Sequence, residues 1–191
     1  MEKFDIKQLE FCYNKAREEI FAGDSIVLLH IAEEQTFLVY RQSEEGMLSL
    51  NIKPSDKNNQ EEFGDTIPFG YRNVASRFFI HNPPSESEIE MAINNVEDSL
   101  MPLVHKIRSL NAQLATFDVI TKEIGTYAKA QPTSITVAEV EDIFSRLALI
   151  IGGRPSSTDL IPSDNRFIAY ELLLREVMHH LGFHTIKPVA F

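Results

Sequence analysis

Three side chains near residue 180 have the types and spacing that can bind a metal ion. Glu176 and His180 are four residues apart and would project from one face of a helix, and His184 follows a predicted helix end. Imidazole and carboxylate groups together suit zinc or another transition metal. The sequence therefore offers a candidate metal site on Glu176, His180 and His184. His81 or His30 would supply a further ligand from the predicted sheet.

The same segment also fits a helix end without a ligand. On an ideal helix, Glu176 and His180 lie opposite the apolar stripe that includes Phe167 and Leu174, which predicts a face in contact with water. Charged histidines in a last turn interact favourably with the negative end of the helix dipole. The HExxH spacing of zinc proteases is absent from the sequence. We favour a solvated helix end with no cofactor and keep zinc or another transition metal as the alternative.

Two arginines and a tyrosine form the other candidate contacts. Tyr71 and Arg72 lie in FGYRN between two apolar segments, where a surface turn is expected. Tyrosine and arginine dominate binding hot spots, so a small ligand or a partner could contact them there. Arg154 in GGRP follows a predicted helix end, where the helix dipole repels anions. It is expected to neutralise the last carbonyls of that helix, with anion contact as the alternative.

Composition excludes several classes of function. The formal charge is −10, from 28 acidic and 18 basic residues, which disfavours nucleic acid as a partner. The single cysteine, Cys12, cannot form an internal disulfide or a multi-cysteine zinc site. The apolar runs are far shorter than the ~20 residues of a membrane helix. We therefore expect a soluble cytoplasmic protein with no membrane contact.

The first part of the chain reads as a helix followed by strands. Apolar residues recur at helical spacing after Asp5, and β-branched segments separated by short polar breaks follow. A polar segment interrupts this pattern and reads as a mobile loop. The predicted elements are a helix over 6–22, a three-stranded antiparallel meander over 25–32, 36–42 and 47–53, a loop over 54–65 and a further strand over 77–80.

The middle of the chain has the most regular apolar pattern. Ser85 and Glu88 match the spacing of a capping box. The following apolar residues step by four and three, as in helices packed at small angles. Pro102 predicts a kink, and the pattern leaves open whether 85–129 is one helix or two. We favour packing within the chain, with a dimer interface as the alternative. The seam consists of Ile89, Ile93, Val96, Leu100, Leu103 and Ile107.

Two further helices and a last strand complete the prediction. Thr136 and Glu139 form a second capping pair before a helix that ends near Gly152. Ser163 is the expected cap of a helix that runs to Leu181. The segment 183–191 could return as an edge strand, because Pro188 argues against a central one.

The predicted fold class is α+β in a single domain, 1–191. An N-terminal helix and an antiparallel sheet of three to five strands, about 1–82, pack against a C-terminal group of about four helices, about 85–182. Helix, meander and helix in an acidic chain is similar to the element order of small acidic secretion chaperones.

The lack of a catalytic motif, the seam of apolar residues that step by four and three, and the acidic composition favour a non-enzymatic function. We expect a cytoplasmic adaptor, chaperone-like or assembly protein that acts through protein–protein contacts. Its partner would be a second copy in a homodimer, or another protein. Two alternatives remain open: a metal-binding protein or metal-dependent enzyme that uses the 176–184 cluster, and a small-ligand sensor with a pocket near Tyr71 and Arg72.

Overall fold

Seven helices and six strands form the part of the chain that the computed structural model describes, residues 6–19, 25–41 and 64–189. The helices are α1 Ile6–Glu19, α2 Tyr71–Phe78, α3 Glu86–Leu100, α4 Val104–Ser109, α5 Val119–Ala128, α6 Val137–Ile151 and α7 Asn165–Leu181. The strands are β1 Ile26–Ile31, β2 Thr36–Val39, β3 Asp65–Ile67, β4 Gln113–Thr116, β5 Ile135–Thr136 and β6 Thr185–Pro188. Among these described segments, no helix combines the length and the apolar character needed to cross a membrane.

The strands form one mixed sheet in the order β3-β2-β1-β4-β6-β5. Strand β1 pairs antiparallel with β2 and parallel with β4, which in turn pairs parallel with β6. Strands β3 and β5 pair antiparallel at the two edges. The α+β class is therefore confirmed. The sheet has six strands and is mixed, whereas three to five antiparallel strands were predicted.

Helices cover both faces of this sheet. On one face α1 buries Leu9, Tyr13 and Ala16 in a small cluster with Ile26 and Leu28 of β1. The alternate β1 residues Val27, Leu29 and Ile31 face the larger core on the other side. Helix α7 lies in that larger core, where it contacts α2, α3, α6 and β1. Its burial on nearly every side explains why it can carry a long apolar sequence.

Helix α3 begins with the predicted capping box. The Glu88 carboxylate accepts the Ser85 N–H at 2.8 Å, and Pro102 lies in a short 3-10 turn between α3 and α4. The helical pattern ends at α4, because Leu114 belongs to β4 rather than to a continuing helix. Residues 85–129 are thus three helices and a strand.

The seam residues pack inside the chain. Four of them are buried, and Ile93 and Leu103 are partly buried against the same core. Since this core is formed by the chain's own helices and sheet, the seam supports intramolecular packing.

Three other predicted elements differ from the structure. Residues 77–80 were expected in a strand, but Arg77 and Phe78 end α2. The last segment forms β6, which lies between β4 and β5 rather than at an edge. Helix α7 is capped by Asp164 instead of Ser163. The predicted strand over 47–53, and the loop over 54–65 up to residue 63, lie outside the described residues.

Candidate functional site

The carboxyl ends of three parallel strands meet at one edge of the sheet. Strand β1 ends at Ile31, β4 at Thr116 and β6 at Pro188. In open α/β sheets, ligands bind in the crevice outside the carboxyl ends of parallel strands. Polar side chains at this carboxyl edge are therefore candidates for a functional site.

Asp118 lies at this edge, where β4 passes into α5. Its carboxylate contacts His30 Nδ1 at 2.6 Å and accepts the Ile31 N–H at 2.8 Å. The Tyr170 hydroxyl of α7 donates to it, also at 2.8 Å. Because an ionised carboxylate only accepts, the His30 ring must carry its proton on Nδ1. Asp118 thus joins the ends of β1 and β4 to the central helix.

Tyr170 and Thr121 extend this buried network. Burial and the neighbouring Asp118 charge raise the pKa of Tyr170 well above its usual value, so its hydroxyl stays protonated. Its one proton goes to Asp118, and the Tyr170 oxygen therefore accepts from the Thr121 hydroxyl at 2.7 Å. We call His30, Asp118, Thr121 and Tyr170 the carboxyl-edge cluster. Its fixed proton directions hold the His30 tautomer in place.

The turn between β1 and β2 covers the same edge. The backbone N–H of Tyr71 donates to the Ala32 carbonyl at 3.1 Å, and those of Arg72 and Asn73 donate to the Glu33 carbonyl at 2.9 and 3.1 Å. These are the first N–H groups of α2, which a helix leaves without intrahelical partners. The turn therefore uses the donors that a helix N-terminus otherwise offers to an anion.

Gly70 allows this close approach of turn and helix. A Cβ on Gly70 would lie 2.3 Å from the Ala32 carbonyl oxygen and 2.5 Å from the Gln35 nitrogen. Both contacts are with backbone atoms, which cannot swing aside. The absence of a side chain at Gly70 is therefore required for the turn to bond α2.

The Glu33 side chain continues the contact on the surface. Its carboxylate accepts from Arg72 Nη2 at 2.7 Å, and the Tyr71 hydroxyl lies 3.5 Å away. Burial and the Glu33 charge raise the pKa of Tyr71. The Tyr71 ring lies 6.1 Å from the Tyr170 ring, centroid to centroid. The Glu33–Arg72 pair therefore adjoins the carboxyl-edge cluster.

The structure places the predicted ligand contacts in two regions. Tyr71 and Arg72 lie at the carboxyl edge, in the first turn of α2 rather than in a surface turn. Arg154 follows α6, where its backbone N–H donates to the Leu149 carbonyl and its side chain contacts Thr158. Its side chain therefore bonds a neighbouring loop residue instead of the last carbonyls of α6.

The candidate metal ligands are only partly brought together. His180 Nε2 lies 3.0 Å from a Glu176 carboxylate oxygen, as the spacing predicts. His81 bonds Glu88 at the start of α3, and His184 is exposed just before β6. Over the described ranges, no group of three or more His, Cys, Asp or Glu residues is arranged to hold a metal ion.

The expected solvent-facing side of α7 is buried instead. Glu176 is 1% exposed and bonds Arg175, which also bonds Glu141 of α6 at 2.9 Å. A carboxylate at that depth requires paired donors, and the arginine and His180 supply them. Glu176 and His180 therefore belong to an ion-pair chain between helices.

The sequence-based search missed Asp118, Thr121 and Tyr170. Asp118 follows a short buried strand, which is where ligand-binding side chains of parallel sheets cluster. This signal was hidden because Leu114 continues the helical spacing of the preceding segment. His30 was considered only as an extra metal ligand.

Comparisons with known proteins find structures that share the fold, but no family model and no curated protein that match the sequence. The solved Ppx/GppA phosphatase of Aquifex aeolicus, type II variant, superposes with a TM-score of 0.63 at 10% identity, over 92% of this chain and 57% of that one. Another structure of the Aquifex aeolicus PPX-GPPA enzyme gives 0.66 at 11%, over 94% and 57%. An exopolyphosphatase from Cytophaga hutchinsonii gives 0.54 at 14%, over 86% and 53%.

At such identities the likeness is one of fold. The chain spans little more than half the length of each of these structures. The matches contradict the predicted non-enzymatic adaptor, because the solved structures that share this fold are described as phosphatases. The homodimer that accompanied that prediction is also unsupported. An enzyme, which was the alternative interpretation, fits the matches better.

Proposed function

We propose that the chain acts on a phosphate-bearing substrate at the carboxyl edge of its sheet, as a phosphohydrolase. The observation that carries the proposal is Asp118, which holds the His30 ring where parallel strands place their ligands. The shared fold with structures described as phosphatases supports the same class of substrate.

His30 is the proposed general base. With its proton fixed on Nδ1 by Asp118, the ring presents Nε2 as the acceptor nitrogen. As a water oxygen attacks phosphorus, Nε2 takes a proton from that water. The bond from phosphorus to the leaving oxygen breaks, the leaving oxygen takes a proton from solvent, and His30 then releases its extra proton to solvent. The His30 side chain is only 10% exposed, so the reacting water would have to be largely shielded from bulk solvent.

Arg72 is the proposed contact for the phosphate oxygens. A guanidinium suits phosphate, with which it forms two parallel hydrogen bonds. Arg72 at present bonds the Glu33 carboxylate, and both side chains are partly exposed. A phosphate would displace Glu33 from Arg72, since exposed ion pairs contribute only ~0–1 kcal/mol.

Binding without hydrolysis is the second candidate function. The N–H groups at the start of α2 already bond the carbonyls of Ala32 and Glu33. An anion at this edge would therefore rely on side chains, with Glu33 and Glu34 close by. That arrangement favours a site that binds its ligand without hydrolysing it.

We also infer a cytoplasmic location. The inference rests on the single cysteine, Cys12, whose pKa is raised by burial, so that it remains a protonated thiol on α1. Chains built for oxidising compartments commonly use cysteine pairs.

The test measures phosphate release and binding on the same samples. Purified chain is incubated with polyphosphate and with p-nitrophenyl phosphate in the presence of Mg²⁺. His30→Gln and Asp118→Asn are expected to lower the rate about 10²–10⁴-fold, as loss of a general base does. His105→Asn is the matched control, because His105 is an exposed histidine on α4.

Each outcome decides between the candidates. Equal rates in Asp118→Asn and the unaltered chain would assign the activity to a contaminant. Binding of polyphosphate that weakens in Arg72→Gln, without release of phosphate, would replace the hydrolase with the binding function. Neither release nor binding would refute the proposal.

A further inference from the structure

The end of the sheet opposite the carboxyl edge holds a cavity of about 460 Å³. It lies where α4 and α7 end and where β4 and β6 begin. Asp118 at the other end lies six residue steps after Ala112, or about 20 Å along an extended chain at ~3.3 Å per residue. We call it the amino-edge cavity. Its size is within the usual ~300–1,000 Å³ of small-molecule sites.

The polar side chains that line the amino-edge cavity are cationic groups or hydrogen-bond donors. They are Arg108, Asn111, His179 and His184. No carboxylate occurs among the described residues that line the cavity, although the chain carries a net charge of −10. Arginine is always positive, and histidine and asparagine can each donate. This lining therefore selects an anion over a cation.

Arg108 is held in position for such a ligand. Its Nη2 donates to the His180 carbonyl at 2.8 Å, and its side chain lies over Gly182. A Cβ on Gly182 would approach Arg108 Nε at 3.1 Å, and Gly182 has φ +80°, which glycine adopts without strain. A guanidinium has five N–H donors, and within the described residues one of them is engaged. The others remain for a ligand.

The helix ends at the cavity do not reverse this preference. The carboxyl end of a helix carries about −0.5 of a charge. Arg108 brings a full positive charge to the carboxyl end of α7 and satisfies one of its last carbonyls. His179 and His184 add positive charge whenever they are protonated. Arg108 therefore offsets the partial negative charge at the carboxyl end of α7.

The remaining wall is apolar. Leu181 and Phe183 line the cavity beside the polar residues, and both side chains are buried. They leave only a small apolar surface open to the cavity, which can contact the hydrocarbon part of a ligand while the polar groups orient its head. The two halves of the lining together describe an amphipathic ligand.

We propose that the amino-edge cavity binds a small organic anion. The phosphate or carboxylate head lies against Arg108, His179 and His184, and the apolar body lies against Leu181 and Phe183. This site is separate from the carboxyl edge. It also gives a role to His179 and His184, which the ion-pair chain at Glu176 does not include.

The test titrates the chain with phenyl phosphate, benzoate and inorganic phosphate. Binding is measured by calorimetry, and the histidine ring protons are followed by NMR. Phenyl phosphate or benzoate is expected to bind at least threefold more tightly than inorganic phosphate, because each adds an apolar ring. The resonances of His179 and His184 should shift, and those of His30 should not. The tighter of the two ring-bearing probes identifies the head group as phosphate or carboxylate.

Three variants locate the site. Arg108→Gln is expected to raise the Kd at least tenfold, and the double change His179→Asn with His184→Asn at least threefold. The double variant alters only exposed side chains, so it keeps the test valid if Arg108→Gln loosens the end of α7. His105→Asn, on the same helix as Arg108, should bind as the unaltered chain does.

Two results would overturn the proposal. One is that no probe shows saturable binding at concentrations up to about 10 mM, which exceeds the Kd of a weakly bound ligand. The other is binding that all variants leave unchanged, or that shifts His30 instead, which would place the anion at the carboxyl edge. Because this readout does not use activity, it stands apart from the hydrolase test.

Discussion

Removing the Asp118 carboxylate tests whether the carboxyl-edge cluster holds the fold together. In Asp118→Ala the Ile31 N–H loses its acceptor beneath the turn. The Tyr170 hydroxyl can rotate toward Thr121, and His30 can move its proton to the other ring nitrogen. Loss of the Asp118 carboxylate therefore costs more free energy at the Ile31 N–H than at the other two donors.

The magnitude follows from that difference. A buried donor left without a partner costs about 1–3 kcal/mol, and a hydrogen bond to a charged group contributes about 1.5–3 kcal/mol. We expect Asp118→Ala to lower the free energy of unfolding by about 3–4 kcal/mol. Asp118→Asn keeps one acceptor oxygen for Ile31 and should cost about 2 kcal/mol. Tyr170→Phe, which removes one charged hydrogen bond, should also cost about 2 kcal/mol.

Urea denaturation at pH 7, followed by circular dichroism, measures these differences. Val119→Ala is the control, since Val119 is the next residue and its side chain is 65% exposed. It should change the free energy of unfolding by less than about 0.5 kcal/mol. A buried donor without a partner costs ~1–3 kcal/mol. If Asp118→Ala lowers the free energy of unfolding by less than about 1 kcal/mol, this carboxylate does not stabilise the contact between β1 and α7.

Three other substitutions probe the surrounding structure. Gly70→Ala places a Cβ 2.3 Å from the Ala32 carbonyl oxygen and should lower the thermal midpoint by several degrees, with loss of at least ~2 kcal/mol. The Arg146 guanidinium lowers the pKa of Asp159 from 3.8 to about 2, so the pair's contribution is present above pH 4 and is lost toward pH 2. Asp159→Asn should remove ~2 kcal/mol at pH 7 and little at pH 2, measured by urea titration at both values. Glu171 is fully buried, and neither of its carboxylate oxygens has a hydrogen-bond partner within the described residues. Burial raises the pKa of this carboxyl well above its usual value. Because the folded state disfavours the charged form of Glu171, this residue destabilises the fold more as the pH rises. Glu171→Met should therefore raise the free energy of unfolding by ~1–3 kcal/mol at pH 7 and by less at pH 4, in the same assay.

Local signals in the sequence predicted the starts of two helices. The capping boxes at Ser85 and Thr136 lie where the structure has them, because each depends on residues three positions apart. The strand β4 was missed for the opposite reason. Its apolar residues become a strand by pairing with β1 and β6. These partners lie 87 and 72 residues away along the chain, from Ile26 to Gln113 and from Leu114 to Ile186.

Helix α2 shows how propensity can mislead. The aromatic pair after Arg77 favours a strand, yet Val74 and Phe78 lie one helical turn apart and both face the core. Gly70 precedes the helix at a point where the Ala32–Gln35 turn approaches so closely that a Cβ would overlap backbone atoms of the turn. Neither the burial nor the contact is visible in the local sequence.

Two residues beside the candidate site were named from the sequence, and their contact with a ligand stays a prediction. Tyr71 and Arg72 were chosen for residue type alone, and they lie beside the carboxyl-edge cluster. Glu176 was assigned to a wet face because the helical wheel shows only one apolar stripe. In the structure α3 and α6 both pack against α7, and Arg175 pairs the buried carboxylate. A wheel describes one helix and cannot show which neighbours cover its other side.

The position of β6 inside the sheet has a consequence for folding. Strand β5 is made earlier in the chain, but it has no partner in the sheet until β6 fills the place beside β4. During synthesis the β1–β2 hairpin can form at once, whereas the sheet closes only when residues 185–188 have left the ribosome. Until then the parallel edge of β4 stays open, which invites pairing with other chains and engagement by chaperones.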